Sequence, residues 1–388
     1  MVYKWLFPDQ ILNVATVICQ QNIFMASKLF EPIQFGAIRL KNRVAMAPMT
    51  RSRATPNNIP TPVMAKYYSQ RADAGLIITE GTSPSPNGVG YPRIPGIYNN
   101  EQVAAWKTVT DAVHKKGGHM YMQLMHTGRV SHLSNLPAGA EVLAPSAVTA
   151  KGQMFSDTQG MVDLSAPREM TTEDIKITID EFVQAAKNAI SAGFDGVELH
   201  AANGYLIEQF LNPGTNRRTD AYGGSVEARS HFLLEIVAQT AAEIGADKIG
   251  VRFSPYGAFN DMPAYNEVDD TYNYLAKKLN DLDIQYIHVL DHSSMGAPPV
   301  PQTIKDSIRT GFKNDLISTG GFTMQTAQAA IESGSADLIA FGKTFLANPD
   351  LINRMKTGTE LNQPDFGTFY TPGETGYTDY PVLQNSTL

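Results

Sequence analysis

Cysteine is almost absent from this sequence, since Cys19 is the only one among 388 residues. An internal disulfide, a cysteine-ligated metal cluster and a Cys-x-x-Cys redox pair each need more than one cysteine, so all three are excluded. A chain without disulfides fits a reducing compartment, and we predict a cytoplasmic location.

Long apolar runs and clusters of basic residues are also lacking. No segment reaches the roughly 18 consecutive apolar residues of a membrane-spanning helix. The chain has 31 Lys and Arg against 38 Asp and Glu, a formal net charge of −7, and no Lys/Arg-rich run. Nucleic acids and anionic membrane surfaces attract proteins with basic patches, so neither partner is predicted. Small molecules are the expected ligands.

The N-terminal segment does not show the strand and helix patterns of the rest of the chain. Organised sequence begins at MASKLFEP, and in the preceding segment polar residues interrupt the apolar core that an export signal needs, with Lys4 as the only basic residue. We predict that residues 1–26 form a flexible N-terminal extension, with translation from Met25 as the alternative. Residues 27–388 are predicted to form a single domain.

Eight short apolar segments recur along the chain, with helical patterns between them. They are RVAMAPM (43–49), GLIITEG (75–81), HMYMQLM (119–125), FDGVELH (194–200), KIGVRFS (248–254), QYIHVLD (285–291), DLISTGG (315–321) and DLIAFGK (337–343). Most are apolar at consecutive positions, as strands of a parallel sheet buried on both faces are. Such βα units predict an α/β protein with a closed (β/α)8 TIM barrel, and a doubly wound open sheet is the alternative.

Two helices can be bounded from their capping residues. Apolar residues at steps of three and four predict a helix over 172–192, which Thr171 and Asp174 begin as a capping box. Ser225 is the predicted N-cap of a second helix over 226–244.

The segment 127–170, rich in Gly, Pro and Ser, follows the third predicted strand. A structureless loop of this length is uncommon in a compact domain. We therefore predict a capping flap inserted after strand three, with a hairpin formed by GQMFSDTQGMVDL. Such segments often shape active sites.

Glycines and polar side chains follow the strands at the end where TIM barrels carry their active sites. After strands seven and eight, Gly320-Gly321 and Gly342-Lys343 could place backbone N–H groups and a cation around a phosphate. A plain turn with a surface lysine is the alternative.

Three further polar side chains, Thr50, Gln123 and Arg252, lie at other strand ends. Together they offer a hydroxyl, an amide and a guanidinium to the edge of a flat heterocycle. Each could instead be a satisfied polar group of the core or rim.

The fourth strand ends in HAANGYL, which carries His200, Asn203 and Tyr205 within six residues. His200 and Asn203 are three apart, so both could donate to one carbonyl oxygen, as in an oxyanion hole. On a regular helix, however, Tyr205 would lie about 200° around from Asn203. All three can therefore face one site only if the helix starts late or the turn is irregular.

Five segments are informative when they are taken together, namely APMTR, MQLMHTGR, VELHAANGYLIEQFLNPGTNRRTDAYGGS, GVRFSP and AFGKTFLANPDL. They resemble segments of the Old Yellow Enzyme family of FMN-dependent ene reductases. The similarity is greatest to bacterial alkene and N-ethylmaleimide reductases and to plant 12-oxophytodienoate reductases, and it runs from about Lys28 to GYTDYP. It implies a (β/α)8 barrel with non-covalent FMN and with NADPH or NADH as reductant. The implied reaction is ping-pong reduction of the C=C bond of α,β-unsaturated carbonyl, maleimide or nitro compounds.

The resemblance also implies roles for individual residues. Those implied around the flavin ring are Pro48, Met49, Thr50, Gly81, Gln123 and Arg252, and those around its phosphate are Gly320, Gly321, Gly342 and Lys343. His200 and Asn203 would hold the substrate oxygen. Tyr205 would donate a proton, and Tyr370 would line the substrate pocket.

The sequence departs from many relatives at three places. Lys343 stands where they have Arg, which keeps the charge but loses the bidentate fork. Met125 stands where they have Trp, and YTPGE follows where they often have a run of Gly. The last two differences bear on substrate preference.

Two other functions remain open on the residues alone. A metal-dependent barrel hydrolase could use His126, His200, Asp291 and His292, although the spacings of zinc motifs are absent and no metal is predicted. A non-catalytic flavin-binding protein would keep the residues around the flavin but would have no need for HAANGYL.

Overall fold

The computed structural model describes residues 27–383, so the predicted extension, 1–26, lies outside the described residues. Its strands are β1 Ile33–Phe35, β2 Ile38–Leu40, β3 Val44–Met46, β4 Leu76–Ile78, β5 Met120–Leu124, β6 Leu143–Ala144, β7 Gln153–Ser156, β8 Gly160–Asp163, β9 Arg168–Glu169, β10 Gly196–Ala201, β11 Ile249–Phe253, β12 Tyr286–Leu290, β13 Asp315–Thr319 and β14 Leu338–Phe341. Its α-helices are α1 Pro62–Gln70, α2 Asn100–His114, α3 Thr172–Ser191, α4 Leu206–Leu211, α5 Val226–Ile244, α6 Val268–Asp281, α7 Gln302–Gly311, α8 Met324–Ser333, α9 Lys343–Ala347 and α10 Leu351–Thr357.

A closed parallel barrel forms the centre of the molecule. Around it the strands run in chain order, β3, β4, β5, β10, β11, β12, β13 and β14, and β14 pairs with β3. Each predicted strand overlaps one of these, so the barrel is confirmed and the open sheet is excluded. The strands are shorter than the predicted segments. β3, for example, ends at Met46, and Pro48 has no N–H with which to continue the ladder.

The N-terminal end of the barrel is closed by a hairpin that the sequence analysis did not predict. Its strands β1 and β2 pair antiparallel between Ile33 and Leu40. The Phe35 ring lies 5.9 Å from the Tyr121 ring and 5.5 Å from the Tyr286 ring, both of which are barrel residues. These aromatic contacts fill one end of the barrel, which leaves the carboxyl ends of the strands as the open mouth.

The capping residues act as predicted. Thr171 and Asp174 form the capping box of α3, and the Ser225 side chain accepts from the Ala228 N–H at the start of α5. Helices α3 and α5 pack against each other outside the barrel. No helix within residues 27–383 is long and apolar enough to cross a lipid bilayer.

The predicted hairpin in the segment 127–170 is present. Strands β7 and β8 pair antiparallel, with Phe155 opposite Met161. Met154, on the other face of the hairpin, is buried in an apolar cluster that also contains Met125 and Tyr205. The hairpin therefore packs beside the turn that follows β10. The short parallel pair β6 and β9 was not predicted.

Candidate active site

A cavity of about 480 Å³ opens at the carboxyl ends of the barrel strands. Its walls include the predicted site residues Pro48, Met49, Asn203, Arg252, Gly320, Gly321, Gly342, Lys343 and Tyr370. These residues lie at the carboxyl ends of five barrel strands or belong to the C-terminal segment, and the closed barrel brings them together.

A second cavity, of about 630 Å³, lies where the strands begin. Its lining is polar and includes Asp247, Asp315, Asp337 and Arg309. Arg309 already pairs with Asp337 at 2.8 Å, and Gln285 donates to Asp315 at 2.6 Å. Because these side chains satisfy one another and TIM-barrel chemistry occurs at the opposite face, the mouth is the candidate active site.

The turns after β13 and β14 are shaped for close approach to an anion. Gly320 and Gly321 have φ values of +130° and +65°, a region that favours glycine. A Cβ on Gly320 would collide with the Asp291 carbonyl oxygen. Lys343 is exposed beside this turn, with its Nζ 5.6 Å from the centre of the Phe366 ring. The backbone groups and the ammonium together suit a phosphate.

A buried polar network supports the mouth from inside the barrel. Gln123 Nε2 donates to Glu198 Oε1 at 2.8 Å, and His288 Nδ1 lies 2.8 Å from Glu198 Oε2. Although burial alone would raise it, the pKa of Glu198 lies below its ordinary value because His288 and Arg252 stabilise the carboxylate. With its amide nitrogen engaged by Glu198, Gln123 presents its amide oxygen as an acceptor.

The Arg252 side chain has a hydrogen-bond donor without a partner in the described part of the chain. It pairs with His200 in the ladder between β10 and β11 and is only 5% exposed. Within residues 27–383 its buried Nε has no hydrogen-bond partner. An unsatisfied buried donor is costly, so this geometry suits a ligand with an acceptor at the cavity wall.

His200 and Asn203 form a pair of donors at the end of β10. His200 Nε2 and Asn203 Nδ2 are 3.4 Å apart, so a single oxygen can contact both nitrogens. Burial, together with the positive charge of Arg252, holds the pKa of His200 well below its ordinary value. The imidazole is therefore neutral and can donate without carrying a charge.

The turn after His200 is irregular, as the spacing of HAANGYL requires. Asn203 and Gly204 have φ values of +60° and +74°, and α4 begins only at Leu206, with Tyr205 as its N-cap. Ser254 Oγ accepts from the Asn203 N–H at 2.9 Å and stabilises this backbone. The Tyr205 ring consequently lies 5.2 Å from the His200 ring. The prediction of a late helix start is confirmed.

Thr50 and Gly81 lie after β3 and β4, beside the cavity wall. The two strand ends are linked because the Arg51 N–H donates to Glu80 Oε2 at 3.1 Å. Thr50 is partly exposed, whereas Gly81 is buried, and a Cβ on Gly81 would collide with the Met125 sulfur. The contacts of both residues with a flavin remain predictions.

The sequence analysis missed several aromatic residues around the cavity. Phe259 and Phe369 line it, and the Phe259 ring lies 4.6 Å from the His292 ring. The Tyr91 hydroxyl lies 3.1 Å from the Tyr205 hydroxyl. These residues belong to loops, where periodicity does not predict the direction of a side chain. Their aromatic character was the only available signal.

Two buried arginines fasten the C-terminal segment that carries Tyr370. Arg53, only 3% exposed, donates to the Phe369 carbonyl at 2.6 Å and to the Thr368 carbonyl at 2.8 Å. Arg51 donates to the Gly376 carbonyl at 2.7 Å. The cavity wall formed by this segment therefore depends on charged hydrogen bonds from the loop after β3.

We expect Arg53→Ala to destabilise the protein by about 2–4 kcal/mol, because it leaves several buried carbonyls without their charged donor. Urea denaturation measures the loss, and hydrogen exchange should rise within residues 366–378. Lys66→Ala is the control, since Lys66 forms an exposed pair with Glu374 worth at most about 1 kcal/mol. Equal losses in the two variants would contradict this role of Arg53.

No group of three or more His, Cys, Asp or Glu within residues 27–383 is placed to hold a metal ion. The four residues of the hydrolase hypothesis therefore do not form a ligand set. A TIM barrel with glycine turns beside a lysine and a neutral donor pair at its mouth is instead typical of enzymes that bind a phosphate-bearing cofactor. The chain belongs to the NADH:flavin oxidoreductase / NADH oxidase family, whose model matches residues 28–362.

Individual relatives agree with this membership. The chain is 40% identical over 375 residues to 12-oxophytodienoate reductase 7 of Oryza sativa subsp. japonica, covering 92% of this chain and 94% of the relative. It is 41% identical over 360 residues to a probable flavin mononucleotide-dependent alkene reductase of Leishmania infantum, covering 92% and 97%. Morphinone reductase superposes with a TM-score of 0.90 at 43% identity, covering 94% of this chain and 98% of that one.

These findings confirm the resemblance to the Old Yellow Enzyme family. A solved homologue of that family from Zymomonas mobilis superposes with a TM-score of 0.88 at 41% identity, over 92% of this chain and all of the homologue. The protein is an FMN flavoprotein oxidoreductase with a TIM-barrel fold.

Proposed function

We propose that the protein is an NAD(P)H-dependent ene reductase. It reduces the C=C bond of an α,β-unsaturated carbonyl, maleimide or nitro compound by a ping-pong mechanism with two half-reactions. The observation that carries this proposal is the donor pair His200 and Asn203, 3.4 Å apart, with the Tyr205 ring 5.2 Å from the His200 ring. A flavin-binding protein without catalysis would have no use for this arrangement.

The residues of the mouth fit a non-covalent FMN. Pro48, Met49, Thr50, Gly81 and Gln123 would hold the ring, with Arg252 at its pyrimidine edge. The Gly320, Gly321 and Gly342 backbone and Lys343 would hold the phosphate. When bound, FMN accepts a hydride from the nicotinamide and supplies it to the alkene carbon β to the activating group.

Side chains of the protein stabilise the negative charge that develops on the substrate and supply the proton that the product needs. His200 and Asn203 donate to the substrate oxygen, where negative charge develops as the alkene is reduced. Tyr205 is only 9% exposed, and burial raises the pKa of its hydroxyl, so it is protonated at neutral pH. It can therefore deliver a proton to the carbon α to the activating group. Arg252 would offset the negative charge that the cofactor gains on reduction.

The proposed reductant is a nicotinamide cofactor, NADH or NADPH. Morphinone reductase has been solved in complex with tetrahydroNAD, which supports this proposal. Met154, from the segment 127–170, belongs to the same apolar cluster as Tyr205, which supports this segment as a cap. Tyr370 lines the cavity, which supports it as a pocket residue. A cytoplasmic location rests on the cysteine content alone.

A visible spectrum of the purified protein tests the proposal directly. We expect a flavin absorbance that bleaches when NADPH or NADH is added without oxygen. It should return when cyclohexenone, a maleimide or a nitroalkene is added. Absorbance that persists after both nicotinamides would instead favour a non-catalytic flavin-binding protein.

A further inference from the structure

Tyr91 contacts Tyr205, the proposed proton donor, but is not among the residues proposed to bind the cofactor or the substrate. Its hydroxyl lies 3.1 Å from the Tyr205 hydroxyl. The two rings meet edge to face, with centroids 6.2 Å apart and planes at 86°. Met125 and Met154 pack in the same apolar cluster and restrict both rings. Tyr91 itself comes from the loop between β4 and α2.

Tyr205 has little access to water, since it is only 9% exposed. A phenolate formed on Tyr205 therefore has little contact with solvent that could stabilise its charge. The Tyr91 hydroxyl lies within hydrogen-bond distance of the Tyr205 hydroxyl, so it can supply a donor in place of water.

We propose that Tyr91 is a positioning residue that orients the Tyr205 hydroxyl and donates a hydrogen bond to the phenolate formed there during each reduction. This inference rests on the proposed function. The Tyr205 O–H bond breaks, and its proton joins the electron pair on the α carbon, while the hydride supplied to the β carbon completes the two-electron reduction. Tyr205, left as a phenolate, accepts a hydrogen bond from the Tyr91 hydroxyl and takes a proton from water once the product has left.

The electrostatics agree with Tyr91 acting as the hydrogen-bond donor to Tyr205. Burial raises the pKa of Tyr205, and hydrogen bonds from Tyr91 and Asn260 lower it in part. Burial holds the pKa of Tyr91 well above its ordinary value, and the neighbouring Tyr205 raises it further. Negative charge is thus more stable on Tyr205, with Tyr91 as the donor. A hydrogen bond to a charged acceptor is about twice as strong as one to a neutral acceptor, so this contact strengthens as the phenolate forms.

Tyr91→Phe removes the hydroxyl and keeps the ring. We expect reoxidation of the reduced enzyme by cyclohexenone to slow by about 10- to 100-fold, since one hydrogen bond to a charged group is lost. Reoxidation by ferricyanide, which needs no proton on carbon, should not change. The solvent deuterium isotope effect on cyclohexenone reduction should increase, because proton transfer becomes slower relative to the other steps.

Tyr98→Phe is the matched control. Tyr98 follows Tyr91 in the same loop, and its hydroxyl donates to Asn58 Oδ1 at 3.0 Å, away from Tyr205. This variant loses the same group and should keep both reoxidation rates. An equal loss with cyclohexenone in both variants would overturn the proposal and indicate a general effect on the loop.

A double-mutant cycle separates action through Tyr205 from a merely structural effect. If Tyr91 acts through Tyr205, the Tyr91→Phe change should have no further effect in the Tyr205→Phe enzyme. Independent effects of the two changes would overturn the proposal. If the wild type reduces alkenes and Tyr91→Phe does so equally fast, only the role of Tyr91 fails. If the wild type reduces no activated alkene, the proposed function fails, and this inference fails with it.

Discussion

Tyr205→Phe should slow reduction of activated alkenes by about 10²- to 10⁴-fold, the contribution of a positioned general acid. Reduction of the enzyme by NADPH or NADH should remain nearly unchanged, because that half-reaction needs no proton on carbon. The Tyr205 ring lies 5.2 Å from the His200 ring of the donor pair, which is proposed to bind the alkene substrate. Anaerobic stopped-flow absorbance measures the two half-reactions separately.

The substitution keeps the aromatic ring, so packing in the cluster with Met125 and Met154 should survive. The melting temperature and the affinity for FMN check this point. Equal slowing of both half-reactions would remove Tyr205 from the role of proton donor. It would point instead to a disturbed cofactor site.

His200→Ala should lower the rate of alkene reduction by about 10²- to 10³-fold, the effect of losing one donor to a developing oxyanion. It should also weaken binding of a phenol over the cofactor, because one of the two donors to its oxygen is gone. Spectroscopic titration with the phenol measures affinity apart from turnover. Unchanged affinity for the phenol would contradict the assignment.

His200→Asn is the companion variant, since it restores a neutral N–H donor at nearly the same place. We expect it to recover part of the loss in both measurements. Burial and Arg252 hold the pKa of His200 well below its ordinary value, so the imidazole is already deprotonated at neutral pH. The ratio of wild-type to His200→Ala rates should therefore stay constant from about pH 6 to about pH 8. A ratio that changes sharply in this range would indicate that His200 acts as a cation.

The order of secondary structure could be predicted because its signals are local. The capping box of Thr171 and Asp174 and the Ser225 cap predicted where α3 and α5 begin. Runs of consecutive apolar residues predicted all the barrel strands, because a strand buried on both faces needs apolar residues at every position. The hairpin of β1 and β2 was not predicted, because its short strands contain no run of consecutive apolar residues.

The candidate site could be predicted only in part. Strand ends predicted which residues reach the mouth, and most of them line the cavity. The contacts of loop residues could not be predicted, because a loop has no fixed period to set side-chain direction. Tyr91 and Asn260 belong to different loops, and their positions beside Tyr205 and Asn203 depend on how those loops fold.

The sequence by itself determined the barrel class and the set of polar residues in HAANGYL. Only the tertiary structure decided that His200, Asn203 and Tyr205 lie close together at the end of β10. That outcome depends on the positive φ values of Asn203 and Gly204 and on two hydrogen bonds of Asn203, whose N–H donates to Ser254 and whose carbonyl accepts from Asn260. These partners lie about 50 residues away along the chain, and only the pairing of β10 with β11 brings them close. Helix and strand propensity and hydrophobic periodicity depend on residues that are close in sequence. The meeting of side chains at one site depends on residues that are close in space.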